Sequence, residues 1–152
     1  MYETILVPTD GSDIANTAVD HALDLADRYD ATVHALYVID LDAVDLGLGS
    51  EQVDRLRQGR LEEMPELENR ARSATETVAE RATERGIEVV EAVAGGRPHR
   101  KITSYADDHD VDLIVMGSAG RSGVRRALLG SVAERTLRST KRPVLVVDIR
   151  TD

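Results

Sequence analysis

The chain has 152 residues, which at about 150 residues per domain predicts a single domain able to bury a core without covalent staples. Cysteine is absent, so a disulfide scaffold, a thiolate metal site and a thiol nucleophile are excluded, and no apolar run approaches the ~20 residues of a membrane span. With 19 Lys and Arg against 28 Asp and Glu the net charge is −9, a field that disfavours nucleic acid and anionic membranes as partners, so a phosphate ligand would need a local capture device.

The start, Met1-Tyr2-Glu3-Thr4, has no basic or apolar leader pattern, and a cytoplasmic location is the expectation. Aromatic residues are all Tyr, so the core must be aliphatic. Thr4-Ile5-Leu6-Val7, closed by Pro8, fits a strand buried on both faces. Turn chemistry follows in Thr9-Asp10-Gly11-Ser12. Ala15, Ala18, Val19, Ala22, Leu25, Ala26 and Tyr29 then recur at helical spacing. Thr32–Ile39 is a second strand. Asp40–Gly59 reads as a loop leading into a helical stretch. A helix pattern resumes after Pro65 with Leu67, Ala71, Ala74, Val78 and Ala82, and Gly86 stops it.

Ile87–Val93 is a third strand, and Gly95-Gly96 a turn. Pro98 opens a helix carrying Ile102, Tyr105, Ala106 and His109. A fourth strand, Asp112–Met116, runs into Gly117, and a glycine-rich loop continues to Gly130. A last helix, Ser131–Thr140, precedes a fifth strand, Val144-Leu145-Val146-Val147. Five strands alternating with helices predict an α/β fold: a three-layer, doubly wound parallel sheet with right-handed crossovers. Ligands of such sheets bind beyond the carboxyl ends of the strands where strand order switches. Strands one and four, both ending in turn residues, are the candidates.

The stretch Gly117–Ser131 carries the clearest chemistry. Gly117 ends a buried strand, where glycine permits positive φ and close approach of a ligand. Gly130-Ser131 starts a helix, and Ser131 with Glu134 fits a capping box. Unpaired N–H groups and the positive dipole end there suit a phosphate. Arg121, Arg125 and Arg126 concentrate positive charge between the glycines. The bland alternative is a long connection with glycines for its turns. Asp10 has two readings as well. It is a carboxylate for a ribose hydroxyl or a metal, or it fixes the turn or caps the next helix.

The spacing Gly117-x2-Gly120-x9-Gly130-Ser131 resembles the nucleotide-binding signature of the universal stress protein family. Ile5-Leu6-Val7-Pro8-Thr9-Asp10-Gly11-Ser12, Gly96-x-Pro98-x3-Ile102, Met116–Gly123, Leu129–Glu134 and Pro143–Val147 are similar to that family over nearly the whole chain. Position 119 departs from the pattern: it is Ala, where relatives often carry His or another larger residue. The resemblance implies strand order 3-2-1-4-5 and the ATP-binding branch. It implies that Pro8, Thr9, Asp10 and Val38 line adenine and ribose. Met116, Gly117, Ser118, Gly120, Arg121, Gly130, Ser131 and Val132 would hold ribose and phosphates. Mg2+ or Mn2+ would accompany the ATP. It also implies a homodimer through Val144, Leu145, Val146 and Val147, a short apolar edge unless Arg142, Asp148 and Arg150 guard it. The expected role is a regulatory, stress-response module with an unknown protein partner. The alternatives are a slow ATPase or autophosphorylating enzyme, using Ser118, Ser122 or Ser131, and a nucleotide-free interaction protein.

Other signals fail. There is no Gly-x4-Gly-Lys-Ser/Thr, and Gly47-Leu48-Gly49 lacks the third glycine of a dinucleotide fingerprint. Gly120–Gly123 lacks the spacing of a nucleophile elbow. His21, His34, His99 and His109 show no metal-ligand spacing, and each reads as a surface or half-buried side chain. Asp10 has no adjacent acid and no Lys follows Val147, which removes a receiver domain. Only Lys101 and Lys141 are lysines; Arg-rich, acidic usage fits either a halophilic source or codon bias, which unfolding in low and in molar salt tells apart.

Overall fold

The computed structural model describes residues 1–40, 65–119 and 129–148. Its elements in chain order are β1 (Thr4–Pro8), α1 (Asp13–Tyr29), β2 (Thr32–Asp40), α2 (Pro65–Glu84), β3 (Val89–Gly96), α3 (Pro98–Asp108), β4 (Leu113–Gly117), α4 (Ser131–Ser139) and β5 (Val144–Val147). All four strand pairings are parallel, in the order β3-β2-β1-β4-β5.

The alternation of side chains along each strand divides the core in two. Ile5, Val7, Val33, Ala35, Leu113, Val115 and Val147 face α1 and α2, where they meet Val19, Leu23, Val78 and Ala82. Leu6, Leu36, Ile114 and Met116 face the other way, onto Ile102 and Ala106 of α3 and Ala133 of α4. Both faces of the central strands are therefore apolar, as a parallel sheet covered by helices requires. The chain steps from β1 to β3 beneath α1 and α2, then from β3 to β5 beneath α3 and α4. Direction and face reverse together, so all four crossovers share one hand.

Several boundaries differ from the sequence reading. β3 begins at Val89, because Ile87 belongs to the turn after α2 and donates its N–H to Ala82 O at 2.8 Å. The strand then runs through the glycines read as a turn, with Gly95 opposite Ile39 and Gly96 opposite Asp40. Gly86, at φ +71, supplies the left-handed residue just past α2. His109 is the residue that closes α3 and not part of it. Of the segment Asp40–Gly59, Asp40 ends β2 and the rest lies outside the described residues.

The amino ends of β1 and β4 are clamped by Asp112, whose Oδ2 accepts N–H groups from Glu3 at 2.8 Å and Thr4 at 3.0 Å. Bonds to a charged acceptor contribute about 1.5–3 kcal/mol each where water is excluded, and less at this half-exposed position. Asp112→Ala is expected to destabilise the protein by ~2 kcal/mol, read as a lowered midpoint in urea with unchanged slope.

One histidine is more than a surface residue. His34 of β2 lies 2.6 Å from the Tyr105 hydroxyl through Nδ1, and Tyr105 stacks on His109 with ring centroids 3.9 Å apart. Burial raises the Tyr105 pKa, so the phenol stays protonated beside His34. Burial first, and then His109, lower the His34 pKa, while Glu88 opposes them. A histidine whose folded pKa is lowered contributes stability above its unfolded pKa of about 6.5, and that contribution is lost as pH falls through the folded value. Thermal midpoints are therefore expected to drop on acidification below about pH 6.5, and His34→Gln should flatten that part of the profile.

Candidate functional site

Strand order reverses between β1 and β4, which pair directly through Ile5–Leu113 and Leu6–Ile114. Their carboxyl ends open on the same side of the sheet, with the amino ends of α1 and α4 above them.

On the β1 side, the pairing with β2 extends one residue past the strand, Thr9 N donating to Leu36 O at 2.9 Å. The chain then turns sharply. Gly11 N donates to Thr9 Oγ1 at 3.2 Å, and Ser12 N donates to Asp10 Oδ1 at 2.9 Å, with Gly11 at φ +79. Ser12 is the N-cap of α1, its Oγ accepting from Ala15 N at 3.2 Å. Of the two readings of Asp10, the turn-fixing one is realised by this bond; the cap is Ser12. Pro8 is the last residue of β1, opposite Leu36. Val38 lies near the end of β2, opposite Ala94, and packs against the core under α3.

On the β4 side, Met116 is buried in the core beneath α3 and α4, so only its backbone faces the crevice. Gly117 is not at positive φ. It is glycine for another reason: a Cβ there would come within 2.6 Å of Ile14 Cγ2 and 3.2 Å of Ala119 O. The first turn of α1 therefore rests directly on the end of β4. Ser118 is buried and bonded in three directions. Its N–H donates to Val147 O at 2.8 Å, its hydroxyl to Asp148 Oδ1 at 2.7 Å, and its carbonyl accepts from Gly130 N at 2.6 Å.

The last of these bonds seats the start of α4. Gly130, not Ser131, is the N-cap, in extended backbone at φ −64. The expected Ser131–Glu134 capping box does not form. Ser131 is the first helical residue, Glu134 N bonds Gly130 O at 3.0 Å, and the Glu134 side chain pairs with Arg138 at 2.9 Å. A Cβ on Gly130 would stand 3.1 Å from Ser118 O and 3.2 Å from Ala119 Cα, which is why the backbones can approach so closely. Gly130 has no side chain to cap the helix, and the N–H groups of the first turn point into the crevice with the positive end of the dipole. Ser131 is exposed there, whereas the Val132 side chain turns into the core. Gly120, Arg121 and the other loop cations lie outside the described residues.

The fold thus brings Thr9 and Asp10 to one wall and Gly117, Ser118, Gly130 and Ser131 to the other. Ile14 was missed from sequence, and Asp148 was read only as a guard of the β5 edge. Ile14 precedes Ala18 at helical spacing, a signal that was available; nothing local marks Asp148. Among the described residues no cluster of three or more His, Asp or Glu could hold a metal, and no helix is long and apolar enough to cross a membrane.

A parallel sheet of this order, with a glycine-seated helix end at its switch point, defines a doubly wound α/β protein with a crevice at the carboxyl edge. The universal stress protein family model matches residues 1–148. Universal stress protein MJ0531 of Methanocaldococcus jannaschii is 38% identical over 97% of this chain and 82% of its own length. The solved structure of MJ0577 from the same organism is 31% identical with a TM-score of 0.77, covering 100% of this chain and 99% of that one. A universal stress protein solved in complex with cAMP is 27% identical with a TM-score of 0.63, covering 97% of each chain. The chain belongs to the universal stress protein family.

Proposed function

We propose that this protein is an ATP-binding regulatory module whose nucleotide lies across the carboxyl ends of β1 and β4. The observation that carries this reading is the start of α4: a glycine-capped N-terminus, anchored by the 2.6 Å Gly130–Ser118 bond, in a chain of net charge −9. The N–H groups of that turn and the Ser131 hydroxyl hold phosphates. The Gly117 and Ser118 backbone lies along the ribose, and Thr9, Asp10 and Val38 line the base and ribose. Gly120 and Arg121 belong to the same loop by sequence. A Mg2+ or Mn2+ ion would be held chiefly by phosphate oxygens and water, with Asp10 the protein carboxylate at the strand end. A family member in complex with cAMP supports an adenine nucleotide as the ligand class.

Among the described residues the site has no positioned base and no dedicated lysine for phosphoryl transfer, and the Ser118 hydroxyl is engaged by Asp148, so a sensor fits better than an enzyme. Mass spectrometry of ligand released from purified, denatured protein tests the assignment. ATP recovered in near-stoichiometric amount supports it; AMP or cAMP instead would move the specificity, and no nucleotide with no ATP-induced thermal shift would sink it.

The module acts as a homodimer through β5 in this reading. Among the described residues β5 pairs only with β4, and two of its three polar guards are engaged within the chain, Arg150 lying outside the described residues. Arg142 bonds Asp107 and, at 3.0 Å, Val111 O; Asp148 bonds Ser118. Leu129 (43% exposed) and Leu137 (40%) add apolar surface just before and on the helix leading into that strand. Leu137→Glu is expected to give the monomer mass in sedimentation equilibrium at concentrations where the parent is dimeric.

A further inference from the structure

A second concentration of positive charge lies outside the glycine-rich loop. No acidic residue occurs from Ala92 to Ala106, in a chain with 28 acids, and that stretch contains Arg97, His99, Arg100 and Lys101. The fold gathers these onto the first turn of α3, at the same end of the sheet as the crevice. Arg97, Arg100 and Lys101 are exposed, with the Lys101 stem lying over Gly96. α3 and α4 pack side by side, and Arg135 of α4 is exposed and near enough to His99 for its charge to act there. Burial, then Arg135, Arg100 and Arg97 in that order, lower the His99 pKa, a sign of how closely the cations converge. Glu134 pairs with Arg138 and Asp107 with Arg142, and Asp40, opposite Gly96, borders the patch.

We propose that this α3–α4 platform docks an acidic polypeptide segment of a partner protein. The surface is made of long, exposed side chains on two helices, which suits a macromolecular contact. Three of its four fixed cations are arginines, whose planar forks match carboxylates. A short acidic segment can be confined to the platform, whereas an extended polyanion such as nucleic acid must also run over the acidic remainder of a −9 chain. The inference does not depend on nucleotide occupancy.

The test is fluorescence anisotropy of the full chain with a labelled synthetic peptide of alternating Glu and Ser. Expected are saturable binding that weakens as salt rises through ~0.1 M, where the Debye length is about 10 Å, and a loss on the order of tenfold in Arg100→Glu/Arg135→Glu. Arg28→Glu/Arg70→Glu, on α1 and α2, should bind as the parent does, and saturating ATP with Mg2+ should leave the peptide bound. If the reversed pair lowers the thermal midpoint, Arg100→Ala/Arg135→Ala carries the comparison. No binding, or binding insensitive to the α3–α4 pair, overturns the proposal. So does displacement by ATP, which would assign the cations to the nucleotide. Tighter binding of single-stranded DNA of equal charge, lost in the same variant, would make the platform a nucleic-acid surface instead.

Discussion

Gly130→Val is expected to abolish the thermal stabilisation that ATP confers, while leaving a folded protein. At a nucleotide concentration 100 times Kd, binding stabilises the native state by about 2.7 kcal/mol, and for a chain of this size each kcal/mol moves Tm by about 2–4 °C. The parent should therefore gain ~5–10 °C and the variant close to nothing. The reason is local. The Cβ alone stands 3.1 Å from Ser118 O and 3.2 Å from Ala119 Cα, and the two methyls of valine have to go beyond it. The start of α4 moves off the end of β4, and its N–H groups no longer converge on one point. The cost without ligand is smaller, about 1 kcal/mol, because the φ of −64 is open to valine and the N-cap preference is what is lost. Differential scanning fluorimetry with and without ATP and Mg2+ reads both quantities. An undiminished ATP shift in a properly folded variant would falsify the phosphate assignment.

Gly117→Val is expected to have the larger effect on stability, about 3 kcal/mol, with Tm lowered by roughly 6–12 °C. Here the obstacle is Ile14 Cγ2, 2.6 Å from where a Cβ would stand, so the first turn of α1 must lift away from the sheet. Because Thr9, Asp10 and Ser12 lead into that turn, ATP affinity should fall with stability. Ile14→Ala removes the clashing methyl. In the Gly117→Val background it should recover part of the loss, although Ala119 O at 3.2 Å remains in the way. Strict additivity of the two substitutions in chemical denaturation would show that Ile14 is not the obstacle.

These two glycines also mark where reading the sequence succeeds and where it stops. Their positions at a strand end and a helix start were legible because hydrophobic runs and helical spacing bracket them, and the same periodicities marked all five strands, while the sheet order came from the family resemblance. The reason Gly117 is glycine was not legible, since its neighbour Ile14 is more than a hundred residues away in the chain. The capping box failed for a related cause: Ser131 and Glu134 have the right local spacing, but a tertiary bond from Ser118 takes the N–H of Gly130 and sets the helix start one residue earlier. β3 outran its apolar stretch because β2 offers pairing partners as far as Asp40, and glycine accepts extended backbone when a neighbour supplies the ladder. The cations at Arg97, Arg100 and Lys101 were in plain view, yet they join Arg135 only once α3 lies against α4.

Ser118 has one more consequence. Its N–H holds the last residue of β5, its hydroxyl holds the residue after it, and its carbonyl holds the cap of α4. The edge strand and the crevice are thus connected in series through a single residue. Linkage makes such a connection reciprocal: whatever free energy an occupied crevice lends to the seating of β5, a partner strand laid along β5 returns to the crevice. Nucleotide affinity and self-association should then rise and fall together, and Ser118→Ala, which removes the hydroxyl bond to Asp148 and keeps both backbone bonds, should weaken that coupling without abolishing it.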